Sequence, residues 1–167
     1  ENLIFLPWMK GERAPITDDY ARGSFIGLTL THRREHLIRA IMEGVAYNLQ
    51  WIMDQIEHES RVRVSSLRAI GGGFQSKIWA QIISDIMRKK IEVVKWPQQA
   101  GAIGAALIAA LGVGVFKKFD DLDRLSPVIF TATPKKEHRR TYTRMSSDYR
   151  RIYTEEMAAM YRRWGIP

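Results

Sequence analysis

Cysteine is absent from the 167 residues, so the chain has no disulfide framework and no thiolate metal site. That absence suits a reducing compartment, and the cytoplasm is the expected location. Long apolar runs are missing too. The longest candidate, Ala100 to Leu111, is interrupted by Gly101 and Gly104 and falls short of the roughly 20 residues that span a bilayer. The chain opens Glu1-Asn2-Leu3-Ile4-Phe5-Leu6 with neither an initiator Met nor a basic leader, and so reads as beginning inside a longer protein. Metal ligands are scarce: the histidines are His32, His36, His58 and His138. His32 and His36 lie one helical turn apart, but no acidic zinc-helix pattern surrounds them. A solvated or capping role is expected there, and no metal. No repeat or low-complexity segment is present.

What is present suffices for one packed domain, with 46% hydrophobic and 26% charged residues. The net charge is +8. Between Lys135 and Arg163, nine Lys and Arg face four Asp and Glu, so more than half of the excess lies in one C-terminal stretch. Arg139, Arg140, Arg144, Arg150 and Arg151, interleaved with tyrosines, keep a nucleic-acid reading open. Tyr149, Ile152, Tyr153, Met157 and Met160 recur at the spacing of a packed face, which favours a solvated helix with one buried side.

Patterning predicts strands at Leu3 to Trp8, Ser24 to Thr31, Leu67 to Ile70 and Ile91 to Val94. It predicts helices at Arg33 to Glu57, about Gln75 to Arg88, Ala100 to Leu111 and Thr133 to about Trp164. In the first helix, Leu37, Ala40, Ile41, Gly44, Val45, Asn48, Ile52, Gln55 and Ile56 form the expected buried stripe. Thr31 is the expected cap. Ile78, Trp79, Ile82, Ile83 and Ile86 line the second helix. Met9 to Gly23 reads as a long loop, and Phe116 to Ser126 as a helical turn or loop. Strands alternating with helices argue for an α/β layer with parallel strands, whose ligands bind beyond the C-terminal strand ends.

At one such end stands Gly71-Gly72-Gly73-Phe74-Gln75-Ser76. Glycines between strand and helix let backbone approach a ligand without an intervening Cβ, and the following helix start offers free N–H groups. By itself the run is equally a tight turn, for it has neither the dinucleotide fingerprint nor the phosphate-loop lysine.

Its context is more specific. Gly71 to Asp85 resembles the C-terminal signature of FGGY carbohydrate kinases, G-G-G-x-x-S-x-x-W-x-Q-x-x-A-D. Phe5-Leu6-Pro7 with Gly11-Glu12-Arg13 and Pro15, Asp18 with Ala21-Arg22-Gly23, and Arg39-Ala40 with Glu43-Gly44-Val45-Ala46-Tyr47 resemble three further blocks in family order. The likeness spans residues 1 to about 116 and is nearest the xylulokinase branch. It implies a ribonuclease-H-like, actin-like ATPase C-terminal lobe, in part: a nucleotide-binding lobe over 1–116, with 117–167 as a helical extension packed on it.

The resemblance further implies that Gly71, Gly72 and Gly73 lie against ATP or ADP, with Gln75 and Ser76 nearby and Mg held mainly outside this stretch. Glu12 and Arg13 are cleft candidates, or a structural pair pinning the loop. Asp18 with Arg22 and Arg39 with Glu43 read as structural pairs, and Trp79 as core. Gln99 stands where the family often has Glu, and Ser84 replaces a common Ala, expected without consequence.

The family's N-terminal phosphate loop, its catalytic Asp block and its second phosphate hairpin have no counterpart here. The expected function is therefore the nucleotide-binding part of an ATP-dependent kinase acting on a ketose such as xylulose, with no catalytic residue in this stretch and no activity alone. A sheet edge left without its first strands would be open to pairing. The alternatives are a non-catalytic regulatory module or split-gene remnant and, less favoured, a nucleic-acid binder. ATP and a sugar are the expected partners, a homodimer is compatible, and no membrane is expected.

Overall fold

The structure, a computed structural model, describes residues 2–118 and 125–165. Its strands are β1 (Ile4–Leu6), β2 (Ser24–Ile26), β3 (Ser66–Ala69), β4 (Lys90–Val94) and β5 (Val128–Ala132). Its helices are α1 (Arg34–Ser60), α2 (Lys77–Met87), α3 (Ala100–Gly112), α4 (Arg139–Arg151) and α5 (Ala158–Trp164). The chain divides into two compact units. The first comprises Glu1–Val64, Asp85–Arg88 and Lys135–Pro167, the second Ser65–Ser84 and Lys89–Pro134.

In the first unit β1 and β2 pair antiparallel, Phe5 opposite Phe25, with their rings 4.7 Å apart. β2 is shorter than the expected Ser24 to Thr31. Gly27 turns the chain at φ 86°, and Leu28 and Leu30 beyond it are exposed. α1 lies close on β1: a Cβ at Gly44 would collide with the Phe5 carbonyl, so only glycine permits this approach. The buried stripe of α1 runs through Ala40, Gly44, Tyr47 and Trp51. Ile41 and Ile56, expected on it, are exposed. The aromatic residues set the stripe because they meet the rings of Tyr142, Tyr149 and Tyr153.

Thr31 does not cap α1. The cap is Arg33, whose N–H donates to His36 Nδ1 at 2.9 Å, while His32 Nδ1 accepts from Thr29 N–H at 2.9 Å. His36 thus serves the cap of α1, and His32 the turn before it. Glu35 lies in the first turn, at the positive end of the helix.

The second unit holds a three-stranded sheet in the order β3-β4-β5. β3 and β4 pair parallel, as expected. β5 lies where patterning predicts no strand, and pairs antiparallel to β4. It arises from Val128-Ile129-Phe130-Thr131-Ala132, a β-forming run between Pro127 and Pro134. α2 is preceded by a 3-10 turn, Gly72–Gln75, so the expected helix begins two residues late. It buries Ala80, Ile82, Ile83 and Ile86 but leaves Ile78 68% exposed, off the expected apolar side. None of the residues of α3 is fully buried.

The stretch expected as one helix from Thr133 to Trp164 is α4, a π-helical turn over Ile152–Met157, and α5. Tyr142, Tyr149, Tyr153 and Tyr161 are buried along it. The expected turn or loop from Phe116 to Ser126 lies partly outside the described residues.

Candidate functional site

The glycine run forms a rim at the C-terminal end of β3. Gly71 sits at φ 105°, a conformation open to glycine alone without strain. Its N–H donates to the Pro97 carbonyl at 2.6 Å, which ties the rim to the turn Pro97–Gln99. The three glycines differ in what a side chain would meet. At Gly71 and Gly72 a Cβ would point into open space, whereas at Gly73 it would land on the Trp79 ring. Trp79 stacks on Phe74, with centroids 6.1 Å apart and planes within 10°. It is half-buried rather than core, and its buried Nε1 has no hydrogen-bond partner among the described residues.

The polar neighbours also divide. Ser76 Oγ accepts the Trp79 N–H at 3.3 Å, so this hydroxyl starts α2. The Gln75 side-chain amide donates to Gln98 Oε1. Gln98, which sequence patterning did not single out, thus stands exposed beside the rim. The available signal was its place in a short Pro-started turn between a strand and a small-residue helix. Gln99 is exposed and donates its N–H to the Trp96 carbonyl at 3.0 Å. Trp96 is 53% exposed, holds a left-handed backbone, and has Lys95 Nζ 4.1 Å from its ring. The space beside Gly71 and Gly72 is free of neighbouring atoms, and among the described residues no group of His, Asp and Glu is arranged to hold a metal.

In the first unit most of the other candidate residues are engaged within the fold. Glu12 Oε1 accepts the N–H of Arg13 at 2.8 Å and of Ala14 at 3.2 Å, and Oε2 accepts from Asn48 Nδ2 at 3.0 Å. Asn48 Oδ1 accepts in turn from Trp8 and from Tyr149. The Glu12 carboxylate therefore meets the Arg13 backbone, while the Arg13 side chain is exposed.

Asp18 is 7% exposed and accepts from Tyr20 N–H at 2.8 Å and Tyr153 Oη at 2.6 Å. Arg22 donates to the carbonyls of Asp19 and Ala21. The expected pair of Arg39 and Glu43 is present at 2.6 Å, and Tyr142 Oη completes it, accepting from Arg39 and donating to Glu43. Burial and the bond to Asp18 push the Tyr153 phenol up to about 12. Burial and the Glu43 charge do the same to Tyr142. Burial raises Tyr47 and Tyr149 further.

The departure at Ser84 has a consequence. The side chain is fully buried, and its hydroxyl donates toward the carbonyls of Lys89 at 2.8 Å and Ala132 at 3.2 Å. The last signature residue, Asp85, is 3% exposed. It accepts from Lys135 N–H and meets His138 Nδ1, both at 2.8 Å.

The model of the FGGY family of carbohydrate kinases, C-terminal domain, matches residues 1–113. Gluconokinase of Bacillus subtilis (strain 168) is 33% identical over 142 residues, which cover 85% of this chain and 28% of that protein. Xylulose kinase of Staphylococcus epidermidis is 34% identical over 157 residues, 92% and 31% of the two chains. Among solved structures, gluconate kinase from Lactobacillus acidophilus superposes with a TM-score of 0.85 at 31% identity, over 98% of this chain and 32% of that one. Ligand-bound xylulose kinase from the same organism gives 0.83 at 30%, over 98% and 33%. The chain thus spans about a third of the length of these relatives, and its mixed helix and sheet fold is theirs, of the actin-like ATPase type.

Proposed function

Since the chain belongs to the FGGY family of carbohydrate kinases, we propose that it is the nucleotide-binding side of an ATP-dependent sugar kinase working in the cytoplasm. The observation that carries this reading is the rim at Gly71 and Gly72, where the backbone borders open space. The adenosine of ATP or ADP lies on that rim, with the Gln75 and Gln98 amides at its edge. Gly73 and Ser76 shape the turn, one by admitting the Trp79 ring and the other by starting α2. ATP supplies the phosphoryl group when bound, its Mg held mainly by residues beyond this chain. Positioning is the work left to this lobe, because phosphoryl transfer rests on alignment and charge stabilisation.

The acceptor is a polyhydroxylated sugar or sugar acid, with a ketose such as xylulose as first assignment. Xylulose kinases and gluconokinases among the relatives, at similar identity, support that class. Glu12 and Arg13 act through loop order rather than on the sugar, as the bonds of Glu12 suggest. Calorimetric titration of the chain with ADP tests the first part: weak saturable binding is expected, and a folded chain that binds no ADP would remove the adenosine rim. A coupled assay of ADP release with xylulose, ribulose, gluconate and glycerol tests the second. Turnover is expected only when the catalytic lobe is joined, and turnover by the 167 residues alone would contradict the division of labour.

A further inference from the structure

The first unit contains a cavity of about 380 Å³ lined by Gln50 and Asp54 of α1, Arg88, and Thr143, Ser146, Ser147, Arg150 and Arg151 of α4. Its size falls in the range of about 300–1,000 Å³ typical of small-molecule sites. Three guanidiniums face one carboxylate. Asp54 binds Arg150, and Arg151 reaches Glu155 at 2.9 Å, which leaves Arg88 as the third cation at the wall. Hydroxyls of Thr143 and Ser147 add donors that a phosphate or carboxylate accepts.

A further observation points to a ligand. Gln50 and Ser146 are 4% and 7% exposed, and Gln50 Oε1 and Ser146 Oγ are buried without a hydrogen-bond partner among the described residues. Arg88, moreover, takes φ 56°, just after the last residue of α2, where glycine is the favoured residue.

We propose that this cavity binds a small hydroxylated phosphate monoester, of the sugar phosphate class, apart from the nucleotide rim. The phosphate group lies against Arg88, Ser147 and Thr143, and a ligand hydroxyl meets Gln50. The test is titration of the 167-residue protein with ribose 5-phosphate and, separately, with inorganic phosphate, at constant ionic strength, followed by phosphorus NMR line broadening. Arg88→Gly is the informative variant, because glycine suits the left-handed backbone and the fold survives with an equal or higher melting midpoint. Arg61→Gly, the same change at another left-handed arginine outside the cavity, is the control.

The expected result is saturable binding of ribose 5-phosphate, weakened at least tenfold by Arg88→Gly and unchanged by Arg61→Gly. Tighter binding of the ester than of inorganic phosphate supports the hydroxyl contact. Equal binding of the two overturns the sugar phosphate assignment in favour of free phosphate. Absence of saturable binding, or equal loss in both arginine variants, overturns the site.

Discussion

The loop from Met9 to Gly23 and the rim at Gly71 and Gly72 both carry strong sequence blocks, yet their surroundings differ. In the loop, Glu12 and Asp18 bind backbone amides, Asn48 and Tyr153. A buried carboxylate such as that of Asp18 needs such partners, and these blocks hold a shape. At the rim, Gly71 and Gly72 face open space. The loop carboxylates serve the fold, whereas the rim has open space beside it where a Cβ would stand, the space on which the proposed nucleotide site rests.

The largest expected effect that can break this contrast is Asp18→Ala. It strips acceptors from Tyr153 Oη and Tyr20 N–H inside a buried site, and should cost about 3 kcal/mol in urea denaturation. A cost near zero would show that the loop block is not structural. Gly44→Ala pushes a methyl onto the Phe5 carbonyl, with an expected loss of about 2 kcal/mol by the same measurement. Ser84→Ala leaves the Lys89 and Ala132 carbonyls without their hydroxyl and should cost about 1 kcal/mol.

The phenols sharpen the same contrast through pH. Tyr142 and Tyr153 are raised from 10.0 to about 12 in the folded chain, so the unfolded chain releases these protons first. Their contribution is complete below pH 10 and declines as pH rises toward 12. The urea midpoint should fall across that window, and Tyr153→Phe should flatten the fall.

Much of this was legible because glycine, proline and aromatic positions leave marks in sequence. The rim, the parallel β3-β4 pair and the Arg39–Glu43 pair follow from residues whose constraints are local. What was hidden depends on partners distant in the chain. The stripe of α1 is set by tyrosines of α4 and the turn after it, so Ile41 and Ile56, apolar by composition, face solvent. β5 lay unnoticed between two prolines because its partner is β4. The sequence likeness treats the three glycines as one motif, and only the position of the Trp79 ring separates Gly73 from Gly72.

That separation is tested most directly by measuring melting and ADP affinity together for Gly72→Val and Gly73→Ala. Gly72→Val should melt as the parent does and lose at least about tenfold in ADP affinity, an effect of about 1.4 kcal/mol. Gly73→Ala should melt earlier, by about 1–3 kcal/mol of lost stability. A Gly72→Val protein that binds ADP as the parent does would contradict the account.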